Sequence, residues 1–394
     1  MSKKGLIKSL VLCLLPLMLT GCWDSTEVNN RSIILEFSLD KNTDYAYDPN
    51  KLLDEQPIYT MAYTLPDFGK LSGTNSLAKD VETNIIIQAP TIAASMDDLE
   101  TRSKNSVSFS HVKAIFLGED LLKDPVLFKR TMDSLSRDML IARNVPILAV
   151  NGKASITTEI ENNEQPILGL YIMDYFNNKE RASSFFQKQL VGNYIKEMED
   201  TGVSTMPVFH VENADIQKET GEIDIRGGAV IYNHELVGYL TKEEVRSQLF
   251  VEGNIKNSPV IIKYEDNLLT YNIKREKSKV KFKDSSNGPE CLIKIQVDGN
   301  ISEYLSEHGV KLTRDGTIEE VKELIADEII AQIQIGVNKS KEMNMDFLGI
   351  GQEFYRYHPK VWTKYKSEWL NDVYQKMPIT IEVNVDIQNT GMEE

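Results

Sequence analysis

The sequence predicts a multi-domain α+β protein: mixed β-sheets each flanked by helices, with an antiparallel sheet plus one long helix in the C-terminal domain. Three observations carry this. A strand, a helix and a second strand succeed one another between residues 110 and 150 at the spacing of a βαβ crossover. From about 256 onward, alternating apolar and polar runs separated by turn residues build three or four antiparallel strands. A long helical stripe then starts near Thr317 and should pack on that sheet. The chain has 394 residues, enough for two or three domains.

Taken in order, Tyr59, Met61, Tyr63 and Leu65 alternate as one strand, which Pro66 ends. Residues 91–104 read as a short helix with Ile92, Ser95, Met96 and Leu99 on one side. SHVKAIFLG, a helix through 125–143 and VPILAV form the βαβ unit, so those two strands should be parallel neighbours. A helix over 179–200 should end at Thr201-Gly202, with Phe186, Leu190 and Tyr194 on one stripe. AVIY, the turn Asn233-His234-Glu235 and LVGYL form a hairpin. VIIKYEDNLLTYNI and KVKFKDSSNGPECLIKIQV supply the C-terminal strands, with Cys291, Ile293, Ile295 and Val297 on the buried face. In the long helix, Thr317 and Glu320 stand at capping-box spacing, and Ile318, Val321, Ile325 and Ile329 form the apolar stripe. Ile379, Ile381, Val383 and Val385 line one face of a last strand that closes or edges the sheet.

The first residues have their own logic. Lys3, Lys4 and Lys8 precede an apolar run from Leu10 to Leu19, the order of a secretory signal peptide. Ten helical residues cover about 15 Å, roughly half of what a membrane-spanning helix must cross. Leu19-Thr20-Gly21-Cys22 resembles the lipobox of bacterial lipoproteins, which implies a diacylglyceryl thioether, and possible N-acylation, on Cys22 after cleavage. Two acyl chains hold stably where one holds marginally. The expected divisions are therefore 1–21 as lipoprotein signal peptide, 22–200 as an N-terminal α/β domain, 201–255 as a small middle domain and 256–394 as a C-terminal α+β domain. Loss of the three lysines takes the net charge from −15 to about −18. Such acidity stands the body off anionic lipid and disfavours nucleic acid as a partner. Cys291 is then the one cysteine of the folded body, which excludes an intramolecular disulfide and fits a buried strand residue.

Catalytic patterns find no support. His111, His210, His234, His308 and His358 are scattered, and none stands in a metal-binding H-E-x-x-H pair. GIGQEF at 349–354 follows a helix and lacks the third glycine of a dinucleotide loop. Neither a phosphate-cradling G-x-x-x-x-G-K-[ST] nor a G-x-S-x-G elbow occurs. Carboxylate pairs such as Asp97-Asp98 and Glu243-Glu244 are what 59 acidic residues produce by chance. The reading is not an enzyme, with no cofactor or metal.

Several segments carry a family likeness. WDSTEVNNRSIILEFSLD directly after Cys22, HVKAIFLGEDLL with SRDMLIARNVPILAVNGKAS, GGAVIYNHELVGYL, and MDFLGIGQEFYRYHPKVWTKYKSEW follow in order along the chain. Together they resemble the Ger(x)C family of spore germination lipoproteins, the C subunits of GerA-type germinant receptors. One departure is Leu35-Glu36-Phe37-Ser38-Leu39-Asp40, where the family pattern has a glycine before the hydrophobe and aspartate. The resemblance implies a lipid-anchored protein on the outer face of the spore inner membrane. It also implies three mixed α+β domains, no enzymatic activity and two polytopic partners, the A and B subunits. Two other classes stand beside it: a solute-binding lipoprotein of an uptake system, and an anchored cell-wall enzyme. Trp362, Tyr365 and Trp369, at spacings of three and four, fit one helical face, either packed in the core or presented to a partner.

Overall fold

The computed structural model describes residues 31–66, 82–137, 141–160, 165, 167–178, 184–215, 220–265, 267–286, 288–304 and 317–389. The lipobox residues Leu19 to Cys22 lie outside them. In chain order the larger unit contains β1 (Arg31–Ile33), β2 (Glu36–Lys41), β3 (Tyr59–Pro66), β4 (Glu82–Ala89), α1 (Ile92–Arg102), β5 (Ser106–Ser108) and β6 (Ala114–Gly118). It continues with α2 (Glu119–Leu122), α3 (Pro125–Arg137), β7 (Ile147–Val150), α4 (Leu168–Asn177), α5 (Val191–Asp200), β8 (Val203–Asp215), β9 (Thr220–Tyr232) and β10 (Glu235–Leu240). Eight strands form one sheet in the order β10-β9-β8-β7-β6-β2-β3-β4. Its centre is parallel, with β6 pairing β7 and β2, and β7 pairing β8. The central strands are buried on both faces, as covered parallel strands must be. Ile115, Leu117, Ile147 and Ala149 face the core under α1, α3 and α5, while Ala114, Phe116, Leu148 and Val150 face a second core under α4.

β2 carries the family departure as an ordinary buried strand, and its two acids act as caps. Asp40 accepts from the backbone N–H groups of Ala154 (2.7 Å) and Ser155 (2.9 Å), at the start of a 3-10 turn. Glu36 accepts from Gly169 N at 2.5 Å in the first turn of α4. Both satisfy donors that a helix start leaves orphaned.

β8, β9 and β10, grouped by sequence into a segment of their own over 201–255, are hydrogen-bonded into this same sheet. The β9–β10 hairpin turns on Asn233 and His234, with φ of 48° and 66°, the pair of left-handed residues of a type I′ turn. One expected element differs. In place of a helix over 179–200, α5 begins only at Val191; residues 184–190 are not helical, and Leu190 bridges to Pro146 while Ile147 N donates to Gln189 O. Phe186 and Tyr194, expected on one stripe, pack into cores on opposite faces of the sheet.

The smaller unit begins with α6 (Lys242–Glu252) and continues through β11 (Ser258–Tyr264), β12 (Asn267–Ser285), β13 (Gly288–Tyr304), α7 (Thr317–Glu342), α8 (Ile350–Tyr357), α9 (Pro359–Tyr365) and β14 (Ile379–Asn389). Its sheet runs β11-β12-β13-β14. The first three strands are antiparallel, whereas β14 lies parallel to β13. Helices α7 to α9 carry the chain back between them, and a crossover of that length is what a parallel pair needs. Cys291, Ile293, Ile295 and Val297 meet Val321, Ile325, Ile329, Ile333 and Val337 of α7 in one core. Burial pushes the Cys291 thiol well up, out of the reactive range.

Candidate functional site

A cleft of about 920 Å³ lies where the two units meet. Its walls are α5 (Asn193, Lys196, Glu197), the end of α6 (Val251, Glu252, Asn254), β12 (Ser278 to Phe282) and α8 with its flanks (Leu348 to His358). Each wall is fixed by local chemistry. Thr241 and Glu244 form a capping box that starts α6, and Gly253, at φ 73°, ends it with a left-handed residue. The chain then turns toward the sheet, where Ile255 N donates to Glu276 at 2.8 Å.

Opposite, α8 hangs on one buried acid. Asp346 accepts from Ile350 N at 3.0 Å, Gly351 N at 2.5 Å and Trp369 Nε1 at 2.9 Å. Burial raises its carboxyl to about 7 against those three donors. A Cβ on Gly351 would sit 2.6 Å from Trp369 Nε1 and 2.9 Å from Asp346 Oδ2, so this close approach requires glycine. Gly349 enters the helix at φ 74°. The glycines of GIGQEF therefore serve a helix start.

The cleft is polar. Glu252 accepts from Gln187 (2.6 Å), Gln248 (2.9 Å) and Asn254 (2.9 Å). Burial raises the Glu197 carboxyl, opposed by hydrogen bonds from Ser204 and Gln189 and by the nearby Arg356. Ser278 Oγ, Gln352 Nε2 and, in a small extension of the cleft, Gln248 Oε1 and Thr205 Oγ1 are buried without a hydrogen-bond partner among the described residues. Such a surface can hold a polar or charged partner. Among the described residues no three His, Cys, Asp or Glu side chains come together as a metal set.

The three aromatic candidates separate. Trp362 and Trp369 are buried, ring centroids 5.3 Å apart and edge-on, in the core beneath α7. Tyr365 is half-buried and donates to Asp284 Oδ1 at 2.7 Å. No single helical face carries them, because α9 stops at Tyr365, a 3-10 turn follows, and Trp369 opens a wide π turn. Of the three, the tryptophans take the packing role and only Tyr365 reaches solvent. Sequence reasoning missed the cleft acids and the basic run of β12. Lys277, Lys279, Lys281 and Lys283 do alternate visibly, but nothing local says that their strand borders a cleft.

Comparison with known proteins agrees with this architecture from end to end. Residues 24–211 match the "Spore germination protein N-terminal domain" family and residues 226–391 the family "Spore germination B3/ GerAC like, C-terminal". Spore germination protein A3 of Bacillus subtilis (strain 168) is 21% identical over 386 residues, covering 98% of each chain. Spore germination protein YndF of the same organism is 23% identical over 417 aligned positions, covering 99% of this chain and 98% of that one. In fold, the chain resembles the crystal structure of the GerBC protein with a TM-score of 0.58 at 17% identity, covering 90% of this chain and 97% of the other. With both halves matched in order and the fold shared, this chain belongs to the GerAC-like, Ger(x)C-type family of spore germination proteins, a germinant receptor family.

Proposed function

We propose that this chain is the lipid-anchored, non-catalytic C subunit of a germinant receptor, required for nutrient-triggered spore germination through contacts with polytopic A and B subunits. Cleavage before Cys22, in the lipobox Leu19-Thr20-Gly21-Cys22, leaves that cysteine carrying the two acyl chains of a diacylglyceryl thioether at the outer face of the spore inner membrane. The observation that carries this reading is the register of the family match, which starts at residue 24, two positions past Cys22. The membrane hold then falls to the two acyl chains, each methylene contributing about 0.8 kcal/mol; no described helix is long and apolar enough to cross a membrane. Anchoring confines the body to one surface and raises its effective concentration for partners there, so even weak contacts suffice.

Cys22→Ala should abolish incorporation of labelled palmitate and leave either an unprocessed precursor or a released body. An alanine variant that still takes label and stays membrane-bound would refute the anchor. Deletion of the chain should block the response to the nutrients its receptor serves, and crosslinking in spore membranes should recover the polytopic subunits. If the purified chain alone hydrolysed peptidoglycan or bound an amino acid or sugar tightly, the wall-enzyme or solute-binding reading would replace this one.

A further inference from the structure

β12 is longer than its outer neighbour. β11 pairs with it only from Asn267 to Ile273, whereas β13 pairs with it as far as Ser285. Over Arg275 to Ser285 one side of β12 therefore has no strand; the chain leaving α6 covers its first part, where Gly253 lies against Ser278 N and Ile255 N donates to Glu276, and beyond Ser278 no loop backbone hydrogen bond reaches it among the described residues. An unpaired side presents a row of backbone N–H and C=O groups. Five consecutive residues, Ser278 to Phe282, line the cleft although their side chains alternate between the two faces of the sheet. That is what an edge presents, and a face would not.

The side chains along this edge sort by parity. Lys277, Lys279, Lys281 and Lys283 are exposed on one face; Val280 and Phe282 are half-buried on the other and pack against the core. Arg275 pairs with Asp298 at 3.2 Å and Lys283 with Glu290 at 3.9 Å, but Lys277, Lys279 and Lys281 have no carboxylate partner among the described residues. In a chain of net charge −15 this run is a local reversal of sign. A strand laid beside β12 would set its residues directly opposite these, with alternate residues on alternate faces.

We propose that the free edge of β12 from Lys279 to Lys283 takes an extended segment of a partner protein that alternates acidic and apolar residues. The acids pair with Lys279 and Lys281, the apolar residues lie beside Val280 and next to Phe282, whose ring already packs on Phe354 and His358, and the backbone extends the sheet. This deepens the contact-based function above and rests on it for the claim that the partner is a protein. A lipid headgroup would use the lysines alone and leave the backbone edge and the apolar row unused.

The test uses the full chain in detergent micelles and a fluorescent heptapeptide alternating valine and glutamate. Saturable binding is expected, with slowed amide hydrogen exchange confined to the 279–283 segment. Lys279→Glu together with Lys281→Glu, both exposed positions, should weaken binding by at least about tenfold, since two attractive cross-strand pairs become repulsive. Equal binding of a block peptide of the same composition, or of one N-methylated along its edge, would overturn strand addition in favour of simple charge attraction. Failure of the peptide to bind, full competition by anionic vesicles, or self-association of the chain through this edge would overturn the proposal as well. A chain whose deletion blocks germination but which ignores the peptide refutes only the edge. One that takes the peptide but whose deletion is silent refutes only the receptor role.

Discussion

Glu36 and Glu82 place two carboxyls close together at the start of the large sheet. Burial, and then the neighbouring Glu82, raise Glu36 to about 8, while burial raises Glu82 to about 7. Glu36 still caps Gly169, but Glu82 Oε2 is buried with no hydrogen-bond partner among the described residues. Both folded values stand above the usual 4.5, so between roughly that pH and 8 the folded chain holds protons that the unfolded chain has released. Stability is then fully present below the unfolded value and is lost as pH rises through the folded ones. The melting temperature should fall by several degrees between pH 5.5 and pH 8.5, since each unit by which a carboxyl is raised corresponds to about 1.4 kcal/mol. Glu82→Gln should flatten that slope, because it removes one titrating group and the repulsion on the other. A melting temperature that rises over this window would contradict the assignment.

Among the helices, α6 and α7 pack most extensively on each other. Ser247 Oγ donates to Gln332 O at 2.6 Å and accepts from Gly336 N at 3.0 Å. A Cβ on Gly336 would stand 2.3 Å from Ser247 Cβ, an atom fixed to the helix backbone that cannot swing aside. Two effects of Gly336→Ala therefore compete. Alanine favours the helix by about 1 kcal/mol, and overpacking of a tight contact costs about 1–3 kcal/mol. Because neither backbone can yield alone, the steric cost wins and the helices must separate. The variant should lose up to about 2 kcal/mol, read from its denaturant midpoint. Stabilisation by alanine would mean that the helices do not meet there.

Over the whole molecule, β8 to β10 are a wall shared by two cores. Val203, Val230 and Leu240 belong to the core of the smaller unit, while Met206, Ala229, Ile231 and Leu236 belong to that of the larger. Val245 of α6 closes on Gly228 from the far side. Unfolding one unit would expose apolar surface of the other, at about 25 cal/mol per Å². Calorimetry should therefore give one transition, and a fragment ending near residue 255 should bind hydrophobic dye through its uncovered face. Two separated transitions in the full chain would contradict a shared wall.

Periodicity alone determined much of this. The βαβ unit, the hairpin at Asn233-His234, the buried row Cys291 to Val297 and the stripe of α7 are local patterns in which each residue's face follows from spacing within its own element. The family likeness was legible for the same reason, since its motifs are contiguous stretches. What only the tertiary structure decided is pairing between distant elements. Phe186, Leu190 and Tyr194 have helical spacing, yet backbone bonds to Val145, Pro146 and Ile147 hold residues 189–191 beside β7, so two of the three side chains enter opposite cores. The alternation of β14 fits either direction, and the long helical return selects the parallel one. The cleft depends on where β11 stops pairing with β12 and on how Asp346 seats α8, contacts between residues far apart in sequence. A lysine every second residue specifies a strand face, but whether that strand's edge is covered depends on its neighbours, and these are chosen by the packing of the whole chain.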